Sequence, residues 1–537
     1  MPKNRPIRRV RDGPPKLRRA VLLRRLLSHA WLVVAAVAAN ASRLQAQDPA
    51  PLADGASPAA ALVRHGRDLL AIEDPLAAWQ VFRQALLAGD PVDGEVGLGN
   101  THLMLGQSAF ALAWAEAALR RDPANQDGMA LCVRAMIRAR QFDGAVSRAA
   151  SFLARTPAAG AELHAASASA LFRVQRIDDA ASGYRRVLAL DPRHAEGHLR
   201  LGSGLLPPMV VAIPAALTEA VLALAAGDRE RAIDKLRSVL ASSPDHAIAH
   251  RLLGEALFAQ KAAASMAATD ASFAALVAAL PAPDVRGLPV AQFFTGYESL
   301  SPARRRVVDR TAAMFGRQLS RLVAVGGRHD LLRELERTTD AEARANLRGR
   351  RTFDGRVWDD VRGVGGVQAA TGIEALDEVL TFGFDTLAHE VAHQAHYYSL
   401  TRMQRVRITS LYKAAIAEGR CLDYYAASNE AEYFGQGVEA FASLAKRPGG
   451  ETTHGHTRFE LMTVDRELHD LIAEIVDHDP LSVPGVRERV LDAAIAVALR
   501  VGRAGDAVVA ARLLSPGPQR DRRLAETERA VASVRCH

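Results

Sequence analysis

Five prolines recur through the first half of this 537-residue chain, Pro91, Pro123, Pro157, Pro192 and Pro244, at successive spacings of 32, 34, 35 and 52. An alanine stands twelve residues before four of them, at Ala111, Ala145, Ala180 and Ala232, and Trp79 takes that place in the first. A period of about 34 residues is a strong constraint, because a unit that short cannot bury its own apolar face and is stable only when stacked on its neighbours. A small residue inside each unit lets two helices approach closely, and proline, which lacks an N–H, ends the second helix. Leu98-Gly99, Leu201-Gly202 and Leu253-Gly254 recur in the first helices, and the long last spacing holds an insertion around Leu206-Pro-Pro-Met.

This pattern resembles the tetratricopeptide repeat. The resemblance implies a helical solenoid over residues 61–265 whose concave face takes a peptide or protein partner.

Residues 386 to 396 read Thr-Leu-Ala-His-Glu-Val-Ala-His-Gln-Ala-His and contain His-Glu-x-x-His. On a helix, His389 and His393 stand one turn apart on one face, so both reach a single metal ion while Glu390 lies beside them as a proton acceptor. Leu376, Val379, Leu380, Phe382, Leu387, Val391 and Ala392 make the surroundings apolar, as expected of a helix buried in a domain core with its polar face turned to a cleft. This points to a zinc hydrolase with Zn2+ as its cofactor. His396 lies roughly 10 Å along the helix axis from His389, too far to share a tetrahedral ion, and is expected to line the cleft or support a ligand. Residues 396–399, His-Tyr-Tyr-Ser, lack the glycine turn and third histidine of the metzincins.

A third ligand is needed, and residues 425–441 offer two candidates, Glu430 and Glu432. The segment reads as a helix capped near Ser428 or Asn429, with Ala431, Phe434, Val438 and Phe441 on an apolar stripe. His-Glu-x-x-His followed by Tyr-x-x-x-Asn-Glu-Ala-Glu and two aromatic residues resembles the catalytic domain of anthrax lethal factor and its relatives. The resemblance implies Glu432 as the third zinc ligand and Tyr425, seven residues earlier, as hydrogen-bond donor to the developing oxyanion. Thermolysin-like enzymes instead place the ligand directly after Asn, which would select Glu430; the Tyr425 spacing favours Glu432, and the other Glu is left as an outer partner. Gln436 and Gly437 depart from the Ala-Glu common in the lethal-factor family, so an acidic partner for a ligand histidine is missing there, and Glu439 is the substitute one turn on. His454 and His456 read as loop residues beside the cleft and as alternative oxyanion donors.

The resemblance covers residues 346–480 alone and implies an α+β zincin-type metallopeptidase domain with a small sheet. Residues 352–370, including Gly363-Val-Gly-Gly-Val-Gln, read as a short strand or two, and an edge strand beside the helix would hold an extended peptide or protein substrate. No Gly-Lys-Ser/Thr follows these glycines, which excludes a phosphate loop. The expected fold is therefore mostly α, a tetratricopeptide-like solenoid followed by the zincin-type domain, joined by a helical connecting region at 266–345 and followed by a helical extension at 481–537. Arg304 to Arg306 and the arginines between Arg333 and Arg351 read as solvated charge. The expected function is that of a zinc endopeptidase with Glu390 as general base, recruited to its target by the repeats. The alternative is a repeat scaffold whose zinc domain is inactive or acts on something other than peptides; the intact Glu390 argues against inactivity.

The net charge of +8 suggests nucleic acid until it is located. Residues 1–46 hold eleven Lys or Arg and one Asp, which leaves the remainder at −2 and no basic surface for DNA or RNA. This basic stretch runs into Ala30-Trp-Leu-Val-Val-Ala-Ala-Val-Ala-Ala39 and small residues up to Ala46, the pattern of a signal peptide, or of an N-terminal membrane anchor where uncleaved. A linker follows at 47–60. Cys132, Cys421 and Cys536 are too few and too far apart for a disulfide framework or a metal site. Export without disulfides fits a bacterial envelope.

Overall fold

The computed structural model describes residues 57–207, 213–380, 383–447, 455–483 and 485–535. The expected signal peptide or anchor, most of the linker, Cys536 and His454 lie outside them. Helices pair along the first half: Pro58–Ala71 with Pro75–Leu87, Pro91–Met104 with Ser108–Arg121, Gln126–Arg138 with Phe142–Leu153, and Ala161–Arg173 with Ile177–Leu190. Pro123, Pro157, Pro192 and Pro244 each follow a second helix within four residues, and Pro91 opens the next first helix, where its missing N–H has no helical partner to lose. Ala111, Ala145, Ala180 and Ala232 are all fully buried where the paired helices meet.

The insertion breaks the fifth unit. Its first helix, Ala195–Arg200, loses helical geometry at Ser203 and Gly204, and the chain resumes as the pair Ala215–Ala225 and Arg229–Ser242. The array closes on one long helix, Ala247–Ala279, which is apolar and long enough to cross a membrane by those two measures alone. Its first half packs Leu252 and Leu253 against Leu217, Ile233 and Leu236 of the last repeat pair. Its second half packs Phe273 and Leu276 against Val490, Leu491 and Ile495 of the helix Arg487–Arg500, which is followed by helices Ala504–Arg512 and Pro518–Arg535. The Leu-Gly positions explain one crossing in this array: a Cβ on Gly202 would lie 2.4 Å from the backbone nitrogen of Arg251, and one on Gly254 would lie 2.6 Å from that of Leu199. The two helices therefore touch backbone to backbone.

The second half centres on a four-stranded sheet of order β1-β2-β4-β3, with β1 at Phe294–Thr295, β2 at Arg328–Leu332, β3 at Gly363–Val364 and β4 at Gln368–Gly372. β1, β2 and β4 run parallel, and β3 lies antiparallel on the edge. β3 and β4 fall where strands were expected. β1 and β2 do not: the stretch 266–345, expected to be a helical connector, supplies half of the sheet along with helices Pro302–Met314 and Gly316–Ala324. Of the arginines expected as solvated charge, Arg306, Arg333, Arg348, Arg350 and Arg351 are exposed, and Arg344 departs from the expectation. Arg344 is buried, donating to the carbonyl of Thr338 at 2.8 Å and to those of Gln368 and Ala369 in β4 at 3.3 Å, and pairing with the Asp330 carboxylate of β2 at 2.8 Å.

Phe294, Leu331, Leu376, Leu387, Val391, Phe434, Val438, Leu471 and Ile472 form one core that holds the helix Thr386–Tyr398 between the sheet and the helix Glu430–Ala442. The repeat array is tied to this unit by buried charge: Arg251 pairs with Glu255 at 2.9 Å and Glu374 at 3.5 Å, and Glu374 pairs in turn with Arg362 at 2.7 Å. Cys132 and Cys421 are buried and free.

Gly202→Ala is expected to destabilise the protein by about 1–3 kcal/mol, since the obstructing atoms are backbone and cannot rotate away. Gly505→Ala, in an open position on helix Ala504–Arg512, should stabilise by about 0.4–1 kcal/mol. Denaturant unfolding of both variants beside the parent checks the pair.

Candidate metal centre

Two helix starts fix the centre. Asp385 caps the helix Thr386–Tyr398 by accepting from the backbone N–H of Ala388 at 3.0 Å, and Asn429 caps the helix Glu430–Ala442 by accepting from that of Glu432 at 3.0 Å. Asn429 is thus the cap of the two residues considered, and the cap sets which way the first-turn carboxylates turn. His389 Nε2 lies 2.9 Å from His393 Nε2 and 3.1 Å from Glu432 Oε2, and His393 Nε2 lies 3.5 Å from the same oxygen. Among the described residues these three are the one set of His, Cys, Asp or Glu side chains that converges closely enough to hold a metal ion.

The donor set fits zinc. Tetrahedral bonds of about 2.0–2.1 Å to nitrogen and oxygen separate neighbouring ligand atoms by about 3.3 Å, within the observed spread. Two imidazole nitrogens and a carboxylate oxygen aimed at one point also need a cation or shared protons to offset their repulsion. Burial disfavours charge on His389, yet Glu432 holds its imidazole above the ordinary histidine range. Burial likewise opposes ionisation of Glu432, and hydrogen bonding to His389 and His393 overcomes it, so the carboxyl sits far below its usual range.

Glycine makes the approach possible. A Cβ on Gly435 would lie 2.8 Å from Cε1 of His389 and 3.0 Å from Cε1 of His393, so both rings rest against bare backbone of the second helix. On the other side, a Cβ on Gly363 would lie 2.7 Å from Glu390 Oε1, and one on Gly365 would lie 3.0 Å from Cβ of His393. The edge strand therefore passes directly over the Glu390 carboxylate, whose burial pushes its proton affinity up.

Sequence reasoning missed the group that seats the helix on the sheet. Gln394, next to His393, accepts through its Oε1 from His329 Nδ1 at 2.9 Å and donates through its Nε2 to the carbonyl of Arg328 at 2.9 Å; His329 Nε2 meets Thr371 Oγ1 at 2.9 Å. Burial drives His329 down to about 4, so it is a neutral structural imidazole. A polar residue inside an apolar helix was the available signal, but its partners are 65 and 66 residues away.

Other candidates separate cleanly. Glu430 does not join the ligand set; its Oε1 lies 3.3 Å from His396 Nε2, whose ring stacks on Tyr397. Glu439, the expected acidic partner of a histidine, instead pairs with buried Lys446 and accepts from the backbone N–H of Asp385 at 3.3 Å. Lys446 also donates to the carbonyl of Gly383 at 2.7 Å. The reason is position: one turn beyond Gly435, Glu439 faces the capped start of the other helix rather than its histidines. His456 lies between Asp423 at 3.3 Å and Glu460 at 3.1 Å, a partnership that removes it as an oxyanion donor. Tyr425 precedes the second helix, with its ring 5.9 Å from that of Phe353. Its hydroxyl is kept protonated by burial and by the carboxylates of Glu432 and Glu390, which place it in the electrostatic field of the centre.

A pocket lies beside, rather than at, this centre. It opens at the amino-terminal end of the His389 helix, lined by Leu280, Arg310, Asp385, Phe441 and Pro480 among others.

A tetratricopeptide repeat family model matches residues 165–205 and 217–281, so the chain carries tetratricopeptide repeats. Solved structures similar to the chain include a thermophilic tetratricopeptide repeat protein of Thermus thermophilus, at 21% identity over 37% of this chain and 99% of that one, TM-score 0.27. YrrB, a tetratricopeptide repeat protein with an unusual peptide-binding site, is similar at 20% identity over 38% and 93%, TM-score 0.22. A tetratricopeptide repeat protein from Parabacteroides merdae is similar at 14% identity over 47% and 90%, TM-score 0.23. Among curated proteins none matches.

Zinc affinity, measured by competition with a chromophoric chelator, separates the two carboxylates. Glu432→Ala is expected to lose the metal, whereas Glu430→Ala loses no more than the roughly 10–100-fold typical of an outer partner. His456 gives a pH test. Burial opposes its charge, but Glu460 and Asp423 raise it to about 10. A raised folded value means stability that is full below the unfolded histidine value of about 6.5 and is lost as pH rises toward 10. His456→Gln should be less stable than the parent at pH 6, with the difference shrinking by pH 10 in denaturant unfolding.

Proposed function

We propose that the chain is an exported zinc-dependent endopeptidase in which the repeat array is coupled to a lethal-factor-like, zincin-type catalytic unit. The observation that carries this reading is the convergence of His389, His393 and Glu432 on one point, with Glu390 on the adjoining turn under a glycine-lined edge strand. The basic and apolar segment at 1–46 supports export.

Zinc bound by these three residues supplies an acidified water and a Lewis acid for a carbonyl oxygen. The chain's own groups do the rest. Glu390, bent toward the edge strand, accepts the proton of the attacking water and returns it to the leaving amine. β3 is the edge of the sheet, so its outer backbone groups can pair with an extended peptide laid across Glu390. The Tyr425 phenol, neutral and in the field of Glu390 and Glu432, donates to the carbonyl oxygen as negative charge builds, which lowers the barrier more than it tightens binding. The repeats offer a surface for a protein partner or substrate, and the acidic balance beyond residue 46 argues against nucleic acid.

A second reading rests on the family match, which lies in the repeats alone: a scaffold whose zinc unit does not cleave peptides. One variant decides between them. Glu390→Gln leaves every ligand in place and should keep about one zinc per chain while hydrolysis of casein or a peptide library falls by roughly 10²–10⁴. Equal cleavage by the variant and the parent removes Glu390 as the base, and no cleavage by either favours the scaffold.

A further inference from the structure

The turn between first and second helix recurs at one position in five units, Glu73, Gly106, Arg140, Gln175 and Gly227, and in all five the backbone is left-handed, with φ between 57° and 79°. Glycine adopts this conformation freely, and Gly106 and Gly227 stand in open space. Glu, Arg and Gln adopt it under strain, so their side chains need a use that holds them there. Each has one on the catalytic unit. Glu73 pairs with Arg447 at 2.9 Å, Arg140 donates to the carbonyl of Cys421 at 3.4 Å, and Gln175 donates to the carbonyl of Phe353 at 2.8 Å.

One of these grips, Gln175, and the neighbouring Arg173 close on Tyr425. Phe353, held by Gln175, has its ring against that of Tyr425, and Tyr424 presents its ring edge-on to Tyr425 at 6.4 Å. Arg173 donates to the Tyr424 hydroxyl and lies over its ring at 4.7 Å, while Phe142 meets that ring edge-on at 5.4 Å. The segment beyond Phe353 is seated on the array as well: Val357 donates its N–H to the carbonyl of Gly204 at 2.8 Å, and a Cβ on Gly355 would lie 2.6 Å from Ile177. Gly204 itself needs its φ of 90° to make that approach.

We propose that Arg173 and Gln175 are positioning residues, through which the fourth repeat holds the 353–357 and 421–425 loops and so fixes Tyr425 near Glu432 and Glu390. The array is then part of the active site's support, in addition to any recruitment it performs. The catalytic meaning of this grip rests on the peptidase reading above; the grip itself does not.

Gln175→Gly separates support from stability, because it removes the side chain and at the same time relieves the backbone strain. Glu73→Gly is the control, releasing a grip at Arg447 instead. In Gln175→Gly the full-length protein should lose hydrogen-exchange protection in residues 351–358 and 421–428, keep its melting temperature and about one zinc per chain, and lose roughly 10-fold in kcat at unchanged KM, less than the roughly 10²-fold for loss of an oxyanion donor. Arg173→Ala should loosen the same segments, with partial recovery in Arg173→Lys. Unchanged exchange in Gln175→Gly, or equal loosening of these two segments in Glu73→Gly, overturns the proposal. Absence of turnover in the parent protein overturns the peptidase reading alone, and the exchange measurement still decides the grip.

Discussion

The arrangement of the centre depends on how closely one helix can approach two imidazoles. Gly435 gives His389 and His393 bare backbone to lie against, and with any side chain there the helix Glu430–Ala442 would be pushed outward by the width of a methyl group or more. That displacement would carry Glu432, one turn earlier, away from the point where the two Nε2 atoms meet. Gly363 and Gly365 do the same on the opposite flank for Glu390. The polar groups are therefore placed by absences of side chain on both sides, and the apolar core of Leu387, Val391, Phe434 and Val438 supplies the force that closes the gap.

Buried charge then specifies which helices meet. Glu439 and Lys446 are both almost wholly buried, and they tie the middle of one helix to the capped start of the other. A pair of this kind adds little net stability, since desolvation offsets most of the attraction, but losing one partner costs about 3–5 kcal/mol. The register of the two helices is thus defended against slippage. The Arg251, Glu374 and Arg362 network plays the same part between the long helix Ala247–Ala279 and the sheet.

What could be read from the sequence was local. The His389, Glu390 and His393 spacing needs only one helical turn, and the repeat needs only a period, so both stand in the chain as written. Glu430 and Glu432 lie in the same first turn, and the histidine spacing left both open while the Tyr425 spacing favoured Glu432; the Asn429 cap and the His396 partner of Glu430 separate them in the structure. His329, Gln394 and Thr371 were illegible because their contacts join residues 65 and 42 apart through a strand, β2, that short length and mixed polarity concealed in an apparently helical stretch. Glu439 was misread for a similar reason: a carboxylate one turn from a ligand can turn to either neighbour, and only the position of Lys446 decides. The left-handed turns at Glu73, Arg140 and Gln175 were equally hidden, because those residue types carry no preference for that conformation.

A repeat array adjoins a candidate metal site whose three side chains, His389, His393 and Glu432, come from two helices braced on a small sheet. X-ray absorption at the zinc edge of protein loaded with one equivalent of metal tests this proposed ligand set most directly. The spectrum should report two imidazoles, with the remaining ligands oxygen at about 2.0–2.1 Å. Sulfur scattering at about 2.3 Å, from Cys132 or Cys421, or a third imidazole in the ion's coordination, would contradict it.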